Sequence, residues 1–291
     1  MRMRPTLSWT PTEESAAAVA SLDDVVEVVA AGGVLVLSGA GLSTESGIPD
    51  YRGDTGSLHR HTPMTYQEFV GSEDGRQRYW ARSHLGWRTI ARAEPNSGHR
   101  AVAELQARGY LDAVLTQNVD GLHQAAGATG VVELHGSLDR VVCLACKRTS
   151  PREDLDRRLR AANPGFTAET TRINPDGDVE LPAAAVRGFA LVDCADCGGV
   201  LKPDVVFFGE NVPAERVRRC YDLVDSAEAV LVLGSSLTVM SGLRFVRHAA
   251  KAGKPVLIIN QGRTRGDSHA RGRLDMPLGL ALTDLARRLP A

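Results

Sequence analysis

The sequence has few aromatic side chains, almost no net charge and no long apolar run. Phe, Trp and Tyr make up 5% of the 291 residues, and the 43% hydrophobic content rests mainly on Val, Leu and Ala. A net charge of −1 offers no basic field for nucleic acid, so no nucleic-acid partner is expected. Lysine occurs only at 147, 202, 251 and 254. Positive charge is otherwise carried by arginine, which reads as coding bias. No apolar stretch approaches the roughly 18 residues needed to cross a bilayer, so no membrane partner is expected. The opening MRMRPTLSWTPTEESAAA has two arginines but no continuous apolar core, and Glu13 and Glu14 follow. It does not read as a secretory signal and is a poor transit peptide. A cytoplasmic location is the expectation. There is no internal repeat and no low-complexity segment.

Cysteine is also sparse, with five residues arranged as two pairs plus one. Paired thiols in a chain without a signal favour metal over disulfide. Cys143-x-x-Cys146 and Cys194-x-x-Cys197 are two knuckles, 47 residues apart. Four thiolates close a tetrahedral structural zinc site at about 2.3 Å. A catalytic zinc would keep an open position and recruit His or carboxylate, so the reading is structural. The plain alternative is four unrelated buried cysteines, which two intact CxxC units disfavour. Cys220 reads as an isolated thiol in a helical run.

The chain is long for one domain and short for two full ones, which suggests one large domain with a smaller insert. Apolar β-branched runs predict strands over 34–38, 111–116, 131–134, 205–208, 229–233 and 255–259. Helices are predicted over 15–31, 97–108, 213–226, 242–252 and 280–289. Strands alternating with helices imply a parallel sheet covered on both faces. Residues 143–197 break the alternation, and 151–192 reads as a partly helical surface excursion. Tyr66, Phe69, Tyr79, Trp80 and Trp87 fit short helices across 66–92, either packing a small helical unit or walling the preceding loop.

Functional signals gather at the carboxyl ends of strands, where open parallel sheets bind ligands. The run VLVLSGAGLSTESGIPDYR at 34–52 reads as a strand, a Gly39-Ala40-Gly41 turn and a phosphate cradle, with the next helix N-terminus adding positive charge. Thr44 stands where a hydride-enzyme fingerprint places its third glycine. TQNVDGLH at 116–123 puts Gln117, Asn118, Val119 and Asp120 at another strand end. Turn formation and capping are the plain alternative for Asn118 and Asp120. His135 ends the 131–134 strand on the same edge. An imidazole near neutral pKa can take a sugar hydroxyl proton, although a lone His is more often structural. Gly234-Ser235-Ser236 and Asn260-Gln261-Gly262 are small polar turns after two further strands, each open to being an ordinary loop. Together the strand ends suit a dinucleotide.

GAGLSTESGIPDYRG at 39–53, TQNVDGLH, ELHGS at 133–137, the two CxxC pairs, KPDVVFFGE at 202–210 and GSSLTV at 234–239 resemble the sirtuins, NAD-dependent protein deacylases. The match runs in order from about residue 15 to the C-terminus. STESGIPDYR, RQRYWARSHLGW and LKPDVVFFGE look most like the class II branch. The Tyr and Arg pair that desuccinylating relatives use is not evident, so negatively charged acyl groups are not the expected substrates.

The resemblance implies a Rossmann-like doubly wound parallel sheet with a smaller zinc-binding and helical domain inserted. The corresponding division is 1–52, 93–140 and 200–291 for the NAD-binding domain, 53–92 for the helical part of the small domain and 141–199 for the zinc part. It further implies that NAD is a co-substrate and that one structural Zn2+ is present. Implied cofactor residues are Gly39, Ala40, Gly41, Thr44, Glu45, Ile48, Pro49, Asp50, Tyr51, Arg52, Gln117, Asn118, Val119, Asp120, Gly234, Ser235, Ser236, Asn260, Gln261, Gly262 and Leu278. Tyr51 stands where the family usually has Phe. Val205, Val206, Phe207, Phe208, Gly209 and Glu210 would pair with the acyl-lysine protein substrate. The implied reaction begins with the amide oxygen displacing nicotinamide from the ribose. An alkylimidate results. His135 then acts as general base on a ribose hydroxyl that attacks the imidate carbon, with Asn118 and Asp120 at the nicotinamide pocket and its ribose. Water completes the reaction, giving free lysine and O-acyl-ADP-ribose. Two alternatives are ADP-ribose transfer to protein and a non-catalytic zinc-ribbon module. Oligomeric state is not legible, a monomer being the default.

Overall fold

Val34–Ser38 (β1) is buried along its whole length, as a five-residue apolar run must be when helices cover both faces of a sheet. The computed structural model describes residues 9, 17–53, 56–59, 62–167 and 173–290. Most of the N-terminal stretch read above lies outside them. Leu111–Thr116 (β2) and Val132–Glu133 (β3) extend the sheet on one side of β1. Ala229–Leu233 (β7), Val256–Ile259 (β8) and Gly272–Leu274 (β9) extend it on the other. The order β3-β2-β1-β7-β8-β9 is parallel throughout. The chain leaves β1 in one direction and returns on its other side, so the topological switch point lies between β1 and β7. That is where such sheets hold ligands.

Alternate residues of each strand feed opposite cores. Val34, Val36, Leu231 and Leu233 face one side, packed under helices Leu22–Ala30 (α1), Ser97–Ala107 (α4) and Leu278–Arg288 (α10). Leu35, Leu37, Val230 and Val232 face the other, under Ala214–Ser226 (α8) and Met240–Lys251 (α9). Each such side chain is worth about 1.5–3 kcal/mol of burial. Cys220 lies wholly buried in the second layer.

A second, three-stranded antiparallel sheet is formed by Gly136–Cys143 (β4), Thr149–Pro151 (β5) and Leu201–Val205 (β6), in the order β5-β4-β6. It packs with Tyr66–Gly71 (α2), Glu73–Ile90 (α3) and Arg152–Ala162 (α6) around Phe69, Tyr79, Trp80, Trp87 and Phe207. Within this layer the guanidinium of the buried Arg152 lies 4.7 Å from the Trp87 ring centre and 5.2 Å from that of Trp80. The 66–92 aromatics therefore pack a small helical unit, the plainer of the two readings. Two short helices complete the set, Leu122–Ala125 (α5) and Ala183–Val186 (α7).

Several boundaries differ from the sequence reading. The strand expected at 205–208 is β6 at 201–205, and it pairs antiparallel in the small sheet rather than continuing the parallel one. Beyond Val205 the chain turns back on itself through Gly209, whose φ of +79° only glycine adopts readily. The helix expected over 15–31 begins at Leu22. Ser21 closes a capping box with Asp24, and Val19 bridges to Arg273 in extended conformation. The segment expected as short helices contains one of 18 residues, α3. β9 was not foreseen. No α-helix directly follows β1: two single 3-10 turns, Ala40–Leu42 and Thr44–Ser46, do. Gly47 in the left-handed region and Pro49 stop the coil from continuing.

Candidate active site

Two glycine turns meet at the switch point. The Gly39 amide donates to Leu233 O and the Gly41 amide to Gly234 O, both at 2.9 Å. A Cβ on Gly39 would lie 2.8 Å from Ser235 Cβ, and one on Gly41 would lie 2.9 Å from Gly234 O. These glycines admit the backbone of the second turn. Gly234 has φ +60° and lies so close to Leu42 N and Leu278 that no side chain fits there. The loop continues through Leu237, a buried residue held at φ +52°. A non-glycine residue in that region is costly and concentrates at ligand sites.

Gln117, Asn118 and Asp120 leave β2 and tie these turns together. Gln117 Nε2 donates to Ser235 Oγ at 2.7 Å. Asn118 Nδ2 donates to Gly39 O at 3.1 Å and Ser43 Oγ at 3.0 Å. Ser43 Oγ in turn donates to Asp120 Oδ2 at 2.7 Å, and Asp120 Oδ1 accepts from Leu122 N at 3.0 Å. Burial raises the Asp120 pKa above the ordinary aspartate value, against the hydrogen bonds that lower it. Beneath them, Thr116 Oγ1 accepts from the Asn118 amide and from Ser38 Oγ, which contacts His123 Nε2 at 2.8 Å.

His135 sits between β3 and β4, where the chain passes from the large sheet to the small one. Its Nδ1 lies 2.9 Å from Gln117 O, an acceptor only, so Nδ1 carries the hydrogen. Nε2 is then the unprotonated nitrogen, and Ser241 Oγ at 2.8 Å donates to it. Burial is the main cause lowering the pKa to about 4, while the bond to Gln117 opposes it and Arg216 and Arg244 assist it. The ring is a neutral base with its lone pair on a defined atom. His135 O accepts from Val206 N at 2.8 Å, which registers the 205–210 segment against the base.

The remaining sequence-predicted residues separate by surroundings. Ile48 is buried against the small-domain core, and Tyr51 packs edge-on to Phe208 at 6.0 Å. Burial raises the Tyr51 pKa well above the ordinary phenol value and lowers that of Arg52. Pro49 lies between them, and Asp50 Oδ1 accepts from Gly53 N at 2.9 Å. Thr44 Oγ1 donates to Gly41 O, and Glu45 Oε1 accepts from Gly279 N at the start of α10. Val119 accepts from Leu138 N through its carbonyl. Ser236 Oγ pairs with Thr238 Oγ1 at 3.1 Å. Asn260 Nδ2 closes its own turn on Gln261 O and Gly262 O. Sequence reasoning missed Ser43 and Ser241. Ser43 lay inside the quoted GAGLSTES motif, whereas Ser241 gave no local signal.

The four paired cysteines converge, with all Sγ atoms within 4.8 Å of one another. Two Sγ separations are 3.5 and 3.9 Å, around the roughly 3.8 Å edge of a tetrahedron with 2.3 Å bonds. Each knuckle turns through a left-handed residue, Lys147 at φ +63° and Gly198 at φ +70°. A Cβ on Gly199 would fall 2.8 Å from Cys143 Sγ and 3.2 Å from Cys197 Sγ. The donor set, spacing and glycine cradle fit zinc.

The Sir2 family model matches residues 39–241. The chain is 65% identical over 289 residues to NAD-dependent protein deacetylase 1 of Streptomyces coelicolor, covering 99% of this chain and 97% of the relative. It is 51% identical over 252 residues to an NAD-dependent protein deacetylase of Xanthomonas campestris pv. campestris, covering 87% and 86%. A solved Sir2–p53 peptide–NAD+ complex matches with a TM-score of 0.72 at 28% identity, covering 92% of this chain and 97% of that one. With these four cysteines, this switch point and this histidine between two sheets, the chain belongs to the Sir2 family.

Proposed function

We propose that this protein is an NAD-dependent protein lysine deacetylase that transfers the acyl group to ADP-ribose and releases nicotinamide. One observation carries the mechanism: His135 is held as the neutral tautomer with Nε2 basic, at the edge where three polar strand-end loops converge. NAD, as co-substrate, supplies an electrophilic ribose carbon with a good leaving group. The 39–52 loop and the Gly234, Ser235 and Ser236 turn would bind it across the switch point, with Asn260, Gln261, Gly262 and Leu278 on the adenosine side. Asn118 and Asp120 would face the nicotinamide end, oriented by Ser43. His135 Nε2 would take a proton from a ribose hydroxyl, displacing the Ser241 hydrogen bond. Val205 to Glu210 would carry the acyl-lysine peptide. Burial of these groups keeps water from the reacting centre.

Cys143, Cys146, Cys194 and Cys197 would hold one zinc ion with a structural role. The proposed division is 1–52, 93–140 and 200–291 for the NAD-binding domain, with 53–92 and 141–199 forming the small domain. The class II-like assignment rests on the quoted motifs. No helix among the described residues is long and apolar enough to cross a membrane. Four thiolates suit a reducing compartment, and the cytoplasm is the proposed location.

The test is incubation with NAD and an acetyl-lysine peptide, following nicotinamide and O-acetyl-ADP-ribose by mass. Acyl-dependent formation of both, abolished by His135→Ala, is expected. ADP-ribose attached to protein without acyl dependence, or activity unchanged by His135→Ala, would overturn the reading.

A further inference from the structure

Lys202 is a buried cation that the reaction above does not use. It lies on β6 and is 4% exposed. Its Nζ donates to Pro203 O at 3.1 Å, Val205 O at 2.5 Å and Glu210 Oε2 at 3.1 Å. An ammonium has three hydrogens, and these three acceptors engage all of them. It also lies 4.8 Å from the centre of the Phe207 ring. The same Glu210 oxygen accepts from Phe207 N at 2.9 Å, and Glu210 N donates to Phe207 O at 3.0 Å. The segment from Val205 to Glu210 is thus a closed turn with an ion pair at its centre.

Burying an ammonium is expensive, and a hydrophobic side chain of similar volume would often give equal or greater stability. The ion pair does something packing cannot: it fixes the directions of the Val205 carbonyl and the Phe207 amide. Those backbone groups flank Val206, whose amide is bonded to His135 O.

We propose that Lys202 and Glu210 are positioning residues that hold the 205–210 turn in the conformation that receives the substrate peptide. The proposal rests on the reading of 205–210 as the peptide-bearing segment. It assigns to the pair a role in peptide affinity, separate from NAD binding and from the chemical step.

The test is steady-state kinetics with an acetyl-lysine peptide and NAD. Loss of a charge-assisted pair in Lys202→Met raises the peptide KM by about tenfold to a hundredfold. The NAD KM and the kcat at saturating peptide stay within about twofold of the parent. Glu210→Gln moves the peptide KM in the same direction, and the double variant is no worse than the poorer single variant. Additive effects, or a rise in NAD KM equal to that for peptide, would overturn the proposal. Hydrogen exchange on the parent protein separates this inference from its premise. If added peptide does not slow exchange across 205–210 below its rate in the free protein, the premise itself fails. If it does and Lys202→Met binds peptide normally, the positioning role alone fails.

Discussion

The hydroxyl of Ser241 donates to Nε2 of His135 across 2.8 Å, at the atom that would accept a proton in the reaction. Ser241 lies in the first turn of α9, 106 residues away in sequence. The bond stabilises the neutral ring, as does burial.

The pH dependence follows. The His135 pKa is lowered from the ordinary 6.5 to about 4, so the base is available above that value and is lost as pH falls through it. The acid limb of kcat/KM, which reports the free enzyme, is expected below about pH 5 rather than near 6.5. Ser241→Ala removes a donor to the neutral form and is expected to move the limb upward by about half a unit to one unit. A limb unmoved in Ser241→Ala would mean that the bond does not tune the base.

Asp120 is held between Ser43 and the Leu122 amide. Asp120→Asn keeps the shape and removes the carboxylate, so kcat/KM for NAD is expected to fall by about tenfold to a hundredfold. Thermal unfolding should shift by only a few degrees. Ser43→Ala is expected to act in the same direction with a smaller effect. Activity of Asp120→Asn equal to the parent would remove this residue from the site.

Much of this site was legible because loop motifs stand directly after apolar strands. The runs before Gly39, Gln117 and Gly234 announce themselves by length and β-branching. β6 was misplaced because Lys202 and Pro203 interrupt its apolar pattern and its partner β4 is a mixed GSLDRVVC. β9 is three residues long, below any useful periodicity. Ser241 could not be read at all: only the crossing of α9 over the sheet edge brings it to His135. Gly39 and Gly41 were read as making room for phosphate, and the structure shows them first making room for Gly234 and Ser235.

Metal content and stability are expected to move together. Purified protein should carry one zinc per chain, and chelation should unfold the small sheet in which Cys143 pairs with Leu201. Near-ultraviolet circular dichroism from Trp80 and Trp87, both in that core, is the probe. Cys143→Ser should lose zinc and much of that signal. Retained signal in metal-free protein would argue against a structural ion.

Gly136 has φ +84°, and an added Cβ would collide with the Asp204 carbonyl oxygen. Gly136→Ala is expected to cost more than about 3 kcal/mol, from strain and overlap together. Gly130, at φ +62° with nothing near its missing Cβ, is the control, with Gly130→Ala costing about 1 kcal/mol. Denaturant unfolding of the two variants measures the difference.

That contact at Gly136 has a consequence for how substrate is presented. His135 and the 205–210 turn are separated by two backbones and one Val206-to-His135 hydrogen bond, with no side chain as a spacer. Their separation is therefore a fixed ruler. Tyr51 and Phe208, which meet edge-on at 6.0 Å, can be substituted without touching that main-chain contact. On the proposed reading of 205–210 as the peptide-bearing segment, the depth at which the amide meets His135 would follow from this main-chain contact and from the Lys202–Glu210 pair that holds the turn, and would stay constant while other side chains vary.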